Sequence, residues 1–199
     1  MHLDICPLTP TLLDDYLNFF NNIAFSDNPT APKCHCVHFH WNAEFEAEFH
    51  RSGKVGDAAD FVNRGVIKGY LVYKDGNVVG WCNANDKRNF DGLRCDVLKG
   101  NRRELWNDAV NDIKIKSVVC FLVAPSMRGQ GVARQLLERV CKDAKNEGYN
   151  CVEGYPLVME TNTYANHHGP MKLFSKLGFN EYKRYKNDAI MRLYLTEEK

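Results

Sequence analysis

The stretch from Ser117 to Gly148 limits the possible folds more than any other part of the chain. It opens with seven consecutive apolar residues, Val118 to Ala124, many of them β-branched. A run of that length is too short for a core helix and suits a strand buried on both faces. Pro125 and Ser126 stop it. Val132, Leu136, Leu137, Val140, Cys141 and Ala144 then recur at helical spacing, and Gly148 sits where a helix C-terminus favours a left-handed residue. Between strand and helix lies Arg128-Gly129-Gln130-Gly131-Val132-Ala133. The first N–H groups of the helix have no intrahelical partner and point at this turn, where glycines allow close approach to the backbone. Arg128 meets the positive end of the helix dipole, an arrangement that makes sense if an anion lies between them. An ordinary strand–turn–helix is the plainer alternative, because short glycine motifs match by chance.

Neither a dinucleotide fingerprint nor a Walker loop fits this spacing. It fits R-x-x-G-x-A, the pyrophosphate-binding signature of the GNAT superfamily of acetyl-CoA-dependent N-acetyltransferases, which the sequence resembles. Lys172 to Phe179 is similar to the late helix of that superfamily, ending in Gly178-Phe179. Trp81-Cys82, after Gly80, and Val152-Glu153-Gly154-Tyr155-Pro156 resemble a bacterial branch of it. The likeness is strongest over residues 69–195 and loose over the N-terminal third. It implies one GNAT-like α/β domain over residues 1–199, with a mixed, mostly antiparallel sheet flanked by helices. It also implies acetyl-CoA as co-substrate. The pyrophosphate would sit on the amides of Gly129, Gln130, Gly131, Val132 and Ala133 and the side chain of Arg128. The pantetheine arm would bond backbone groups of Leu122 and Val123, where the central strand splays from its neighbour.

Composition agrees with one domain. A chain of 199 residues with 44% hydrophobic and 26% charged content reads as a soluble globular protein. A net charge of +1 argues for neither nucleic acid nor membrane as partner. No apolar run approaches the ~18 residues of a membrane span, and the N-terminus carries no signal-peptide pattern. Eight cysteines in such a chain read as reduced thiols, which points to the cytoplasm. A monomer or homodimer is expected.

In chain order, His2 to Leu8 reads as a strand and Thr9 as the cap of a helix with Pro10 at its first position. Leu12, Leu13, Tyr16, Leu17, Phe20 and Ile23 form its buried stripe. A second helical region runs from Phe45 to Ile67, broken near Gly53 and Gly56. Tyr70 to Tyr73 and Val78 to Cys82 flank Asp75-Gly76, a hairpin signal. Asp86 to Asn111 is a polar excursion. Asn150 to Pro156 reads as a strand, Pro170 to Leu177 as a short helix, and Asn180 to Leu195 as a hairpin around Asn187-Asp188.

Acyl transfer to an amine needs a neutral nitrogen, a polarised carbonyl and a leaving thiolate. Deprotonating a lysine-like amine at pH 7 costs about 4.6 kcal/mol, an α-amine only about 1. Glu153, in an apolar strand, is the candidate general base, with a structural ion pair or a solvent-facing carboxylate as the alternative. Many family members carry a Tyr as general acid four residues before the Gly of Gly-Phe; here that position is Phe174, which has no proton to give but is expected to pack near the cofactor. Tyr155, Tyr164 and Tyr182 are substitute acids that sequence does not separate. His167 occupies the place of a cofactor-contacting Asn, with Asn166 one residue off. His168 is expected to cap a solvated loop.

Cys34-His35-Cys36-Val37-His38-Phe39-His40 invites a zinc reading. Extended, its ligands would span about 20 Å, whereas tetrahedral ligands gather within about 4 Å, so no metal is expected. Trp41, Tyr70, Tyr73 and Trp81 are possible walls of an acceptor pocket. Cys120 and Cys151 lie in apolar runs that raise a thiol's pKa, and Cys82 is nearer the pocket; direct attack in a ternary complex is therefore expected. The acceptor is a small-molecule or peptide amine. A non-catalytic acyl-CoA or small-ligand sensor, with Phe174 marking lost chemistry, is the rival reading.

Overall fold

Asp75 (φ 50°) and Gly76 (φ 77°) both take left-handed backbone, which lets a two-residue turn follow strand twist. They join β2 (Gly69–Lys74) to β3 (Asn77–Asp86). The structure is a computed structural model and describes residues 2–28, 34–41, 58–90, 113–158, 165–185 and 188–195, with 44, 45, 47 and 51 besides. β3 continues past Cys82 through Asn83, Ala84, Asn85 and Asp86, all buried. Asparagine and aspartate are poor strand formers, so propensity ends the strand too early. The remaining strands are β1 (Asp4–Pro7), β4 (Ile115–Val123), β5 (Cys151–Gly154), β6 (Asn180–Arg184) and β7 (Ala189–Tyr194).

These form one seven-stranded sheet in the order β1-β2-β3-β4-β5-β7-β6, antiparallel except for the β4–β5 pair. On one face lie α1 (Leu13–Asn18) and α2 (Ala58–Asn63), with Tyr16 and Phe20 edge-on to Trp81 of β3. Alternation turns Gly80 and Cys82 to the opposite face. There α3 (Val132–Asn146) covers the sheet, Val132 against Gly80 and Arg139 over the Tyr70 ring. The helix α4 (Met171–Ser175) packs its Phe174 on Gly154 and Phe121.

Two local departures follow from backbone geometry. Thr9 precedes a 3₁₀ turn, Pro10–Leu12, but its hydroxyl bonds Thr11 at 2.7 Å rather than a backbone N–H. The helix then widens into a π-turn at Phe19–Ile23. That turn rotates Phe19 into the core beside Tyr16 and Phe20, a position the 3.6-residue stripe leaves out. The helical stretch expected from Phe45 lies partly outside the described residues; positions 44, 45, 47 and 51 are helical. Most of the polar excursion, residues 91–111, also lies outside them.

Candidate active site

The sheet opens beside β4. Its pairing with β5 ends at Val118–Gly154, and β4 runs on through Val119 to Val123 with no β5 partner. At the parting, Asn83 pairs with Cys120 but Ala84 with Val118, so Val119 is an extra residue in a β-bulge. The Val119 carbonyl accepts a 2.8 Å hydrogen bond from His168 Nδ1. His168 is thus not a solvated loop residue: it is 1% exposed and ties the turn Ala165–His168 to the central strand. Its ring also meets Phe39 edge-on from the α1 face, with His167 beside it.

Ala124 donates to Val79 across the other edge of β4. Antiparallel alternation therefore turns the peptide groups of Leu122 towards β3 and those of Phe121 and Val123 to the open edge. Of the two residues expected to meet a pantetheine arm, Val123 presents its backbone there and Leu122 does not. Phe174 is fully buried beside the parting. A Cβ on Gly154 would lie 2.1 Å from its ring, so only glycine lets the aromatic ring seat itself where β4 and β5 separate.

The open edge leads to the turn before α3. Gly129 (φ 74°) and Gly131 (φ 82°) are left-handed, and a Cβ on either would meet no protein atom within 4 Å. Gly131 is the N-cap of a fifteen-residue helix with no acidic residue in its first turn. The sequence motif therefore forms an uncluttered helix N-terminus suited to an anion. Arg128 donates to the Val123 carbonyl at 3.2 Å, and its guanidinium pairs with Asp27 at 2.5 Å. Asp27, whose pKa is lowered chiefly by that hydrogen bond, ties the segment after α1 to the turn. Nothing local in the sequence connects the two residues.

Glu153 lies on the α1 face of β5, fully buried. Lys87 donates to Oε2 at 2.8 Å, Tyr155 to the same oxygen at 2.9 Å, and Arg192 to Oε1 at 2.9 Å through Nε and again through Nη2. Ser117 Oγ lies 2.5 Å from the Tyr155 hydroxyl. Register explains the convergence: Ser117, Glu153 and Arg192 stand opposite one another on adjacent strands. Both carboxylate oxygens face cations, which matches the structural ion pair. Burial, then the Glu153 charge, pushes the Tyr155 phenol well above its ordinary pKa. Its proton is already directed at Glu153. Tyr182 stacks under Arg192 at 3.6 Å on an edge strand, and Tyr164 lies outside the described residues. Lys87 and Arg192 carry no motif of their own.

A family model for the acetyltransferase (GNAT) family matches residues 33–179. The chain belongs to the GNAT acetyltransferase family. No curated protein sequence matches it. Among solved structures, Salmonella typhimurium YncA with its cofactor acetyl-CoA aligns with 16% identity and a TM-score of 0.51 over 98% of this chain and 95% of that one. The Escherichia coli ribosomal-protein-S18-alanine N-acetyltransferase aligns with 16% identity and a TM-score of 0.50 over 100% and 97%. A Drosophila melanogaster polyamine N-acetyltransferase aligns with 13% identity and a TM-score of 0.57 over 97% and 100%. At these identities the likeness is one of fold.

Within this GNAT sheet the remaining candidates separate. Tyr70 faces α3, whereas Trp81 faces α1 and Tyr73 bonds Asp15 of α1 at 2.8 Å, so Tyr70 stands apart from those two. Cys82 points to the α3 face, fully buried, and burial raises its pKa. Cys151 is pushed up to about 12, chiefly by burial. The Cys34–His40 segment is not extended: Cys36 is left-handed (φ 58°) and Val37–His40 is a 3₁₀ turn against the core. Among the described residues, no group of three His, Cys, Asp or Glu side chains gathers to hold a metal ion.

Proposed function

We propose that this GNAT protein transfers an acetyl group from acetyl-CoA to a primary amine on a small molecule or peptide. The observation that carries the reading is the open edge of β4 beyond Val118, followed in the chain by the glycine-lined N-terminus of α3. Phe121 and Val123 offer backbone groups to the pantetheine arm, Gly129 to Ala133 offer amides to the pyrophosphate, and Phe174 shapes the floor beside the thioester. Arg128 joins the pyrophosphate site by exchanging Asp27 for phosphate. In the reaction the amine nitrogen bonds the acetyl carbon as the carbon–sulfur bond breaks, the amine proton is lost and CoA leaves as its thiol. Direct attack is favoured because Cys82 and Cys151 are buried, protonated thiols, poor nucleophiles. Glu153 serves best as a charged anchor that fixes β5 and Tyr155, not as the base. An amine with a low pKa then needs least help, since neutralising an α-amine at pH 7 costs about 1 kcal/mol.

The test is a panel of amines with acetyl-CoA, reading thiol release and the mass of the acetylated product. Intersecting double-reciprocal lines support the ternary complex; parallel lines with a trapped acetyl-cysteine overturn it. The second reading, an acyl-CoA sensor, draws on Phe174 standing where a proton donor is common in the family. Tight CoA binding with no product from any amine would select it.

A further inference from the structure

Asn83 is a polar residue at the centre of the sheet, 0% exposed, on the α1 face of β3. It stands opposite Cys120, one residue beyond the β4 bulge, and so beside the place where β4 and β5 part. Its Nδ2 lies 3.2 Å from His40 Nε2, while His40 Nδ1 lies 3.3 Å from the Asn89 carbonyl. These contacts fix every orientation in the chain. A carbonyl oxygen only accepts, so Nδ1 carries the His40 proton and Nε2 presents its lone pair. The Asn83 group facing that lone pair must then be the NH₂. Flipping the amide would set its oxygen against the same lone pair, and switching the tautomer would set a lone pair against the Asn89 carbonyl. A doubly protonated His40 would relax the constraint, but burial holds its pKa down at about 4.

The consequence falls on Asn83 Oδ1. It is turned away from His40, shielded from solvent, and has no hydrogen-bond partner among the described residues. A buried carbonyl without a donor is costly enough that folded chains seldom keep one unless something else supplies the donor. The atom lies on the face opposite α3, which carries the cofactor turn. Trp81 stands two residues before Asn83 and so on the same face, with Tyr16 edge-on to its indole.

We propose that Asn83 Oδ1 binds the acceptor, taking a hydrogen bond from an N–H of the amine substrate, with His40 setting the amide's orientation. This deepens the acetyltransferase reading and rests on it. It makes Asn83 a specificity residue: it selects acceptors that bring an N–H donor to the parting of β4 and β5, and disfavours isosteric ethers, which bring none.

The probes are spermidine and an alanine-initiated tripeptide, each scored by thiol release and by the rise in Tm that the amine produces. Asn83→Leu should raise the amine KM about tenfold or more, as for loss of a buried hydrogen bond to a charged donor, while the acetyl-CoA KM stays within about twofold. If Asn83→Leu does not fold, Asn83→Ser decides: its hydroxyl is too short to reach the amine, so amine affinity should fall while the acetyl-CoA KM stays within about twofold. An unchanged amine KM in folded Asn83→Leu, or equal rises in both substrates' KM, overturns the assignment and leaves the acetyltransferase reading standing. Acetyl-CoA binding with neither turnover nor a Tm rise from either amine in the wild type overturns both.

Discussion

Glu153 holds Lys87 and Arg192 in a fully buried cluster, so its removal would leave two cations in the interior without their shared counter-charge. Breaking such a pair from one side costs about 3–5 kcal/mol. Glu153→Gln should therefore lower urea stability by that order, and the activity of the molecules that remain folded should fall equally at all pH values. A defect that shrinks as pH rises would instead return Glu153 to the role of base. His40 makes a separate prediction. Its pKa falls from 6.5 unfolded to about 4 folded, so between those values only the unfolded chain binds the proton. Stability is then fully present above pH 6.5 and is lost as pH falls towards 4, by about 3 kcal/mol in all. Replacing His40 with Gln should flatten that part of the curve of stability against pH. Each residue stands in a short sequence motif that does not reveal its role: beyond Tyr155 on Glu153, their side-chain partners lie 39 to 66 positions away.

At the scale of elements, the strand β4, the glycine turn and α3 were legible because they are contiguous and their periods are unambiguous. The last half of β3 was not, since its Asn and Asp residues lie in a strand only because β2 and β4 flank it. The π-turn at Phe19–Ile23 likewise defeats a fixed 3.6-residue stripe. The steric role of Gly154 emerged only with the Phe174 ring in place. Gly154→Ala should force that ring out of its seat, a clash that overpacking usually makes worth about 1–3 kcal/mol, and acetyl-CoA affinity should fall with it. The variant's urea midpoint and its acetyl-CoA dissociation constant check both halves. The Asp27–Arg128 pair joins the segment after α1 to the cofactor turn. Asp27→Asn should tighten acetyl-CoA binding by releasing the guanidinium, and Arg128→Ala should weaken it about tenfold, as for loss of one charge-assisted contact. Equal affinities in all three proteins would leave Arg128 a purely structural tie.

For the whole molecule, family and fold were readable from one strand–turn–helix and a distant Gly-Phe, because the family's cofactor site is local in sequence. The acceptor side was not readable. In the proposed arrangement it would draw on β3 and the turn at Val37–His40, where Asn83 and His40 acquire direction only through tertiary hydrogen bonds. The central claim remains that the β4 edge and the turn from Arg128 to Ala133 form the acetyl-CoA site. Its most direct test is calorimetric titration of acetyl-CoA into the wild type and Gly131→Val. A branched side chain at that left-handed position strains the turn and projects into the space above the helix N-terminus. Saturable one-to-one binding to the wild type, lost in a folded Gly131→Val, is the predicted result; absence of binding to the wild type, or equal binding to both, would contradict it.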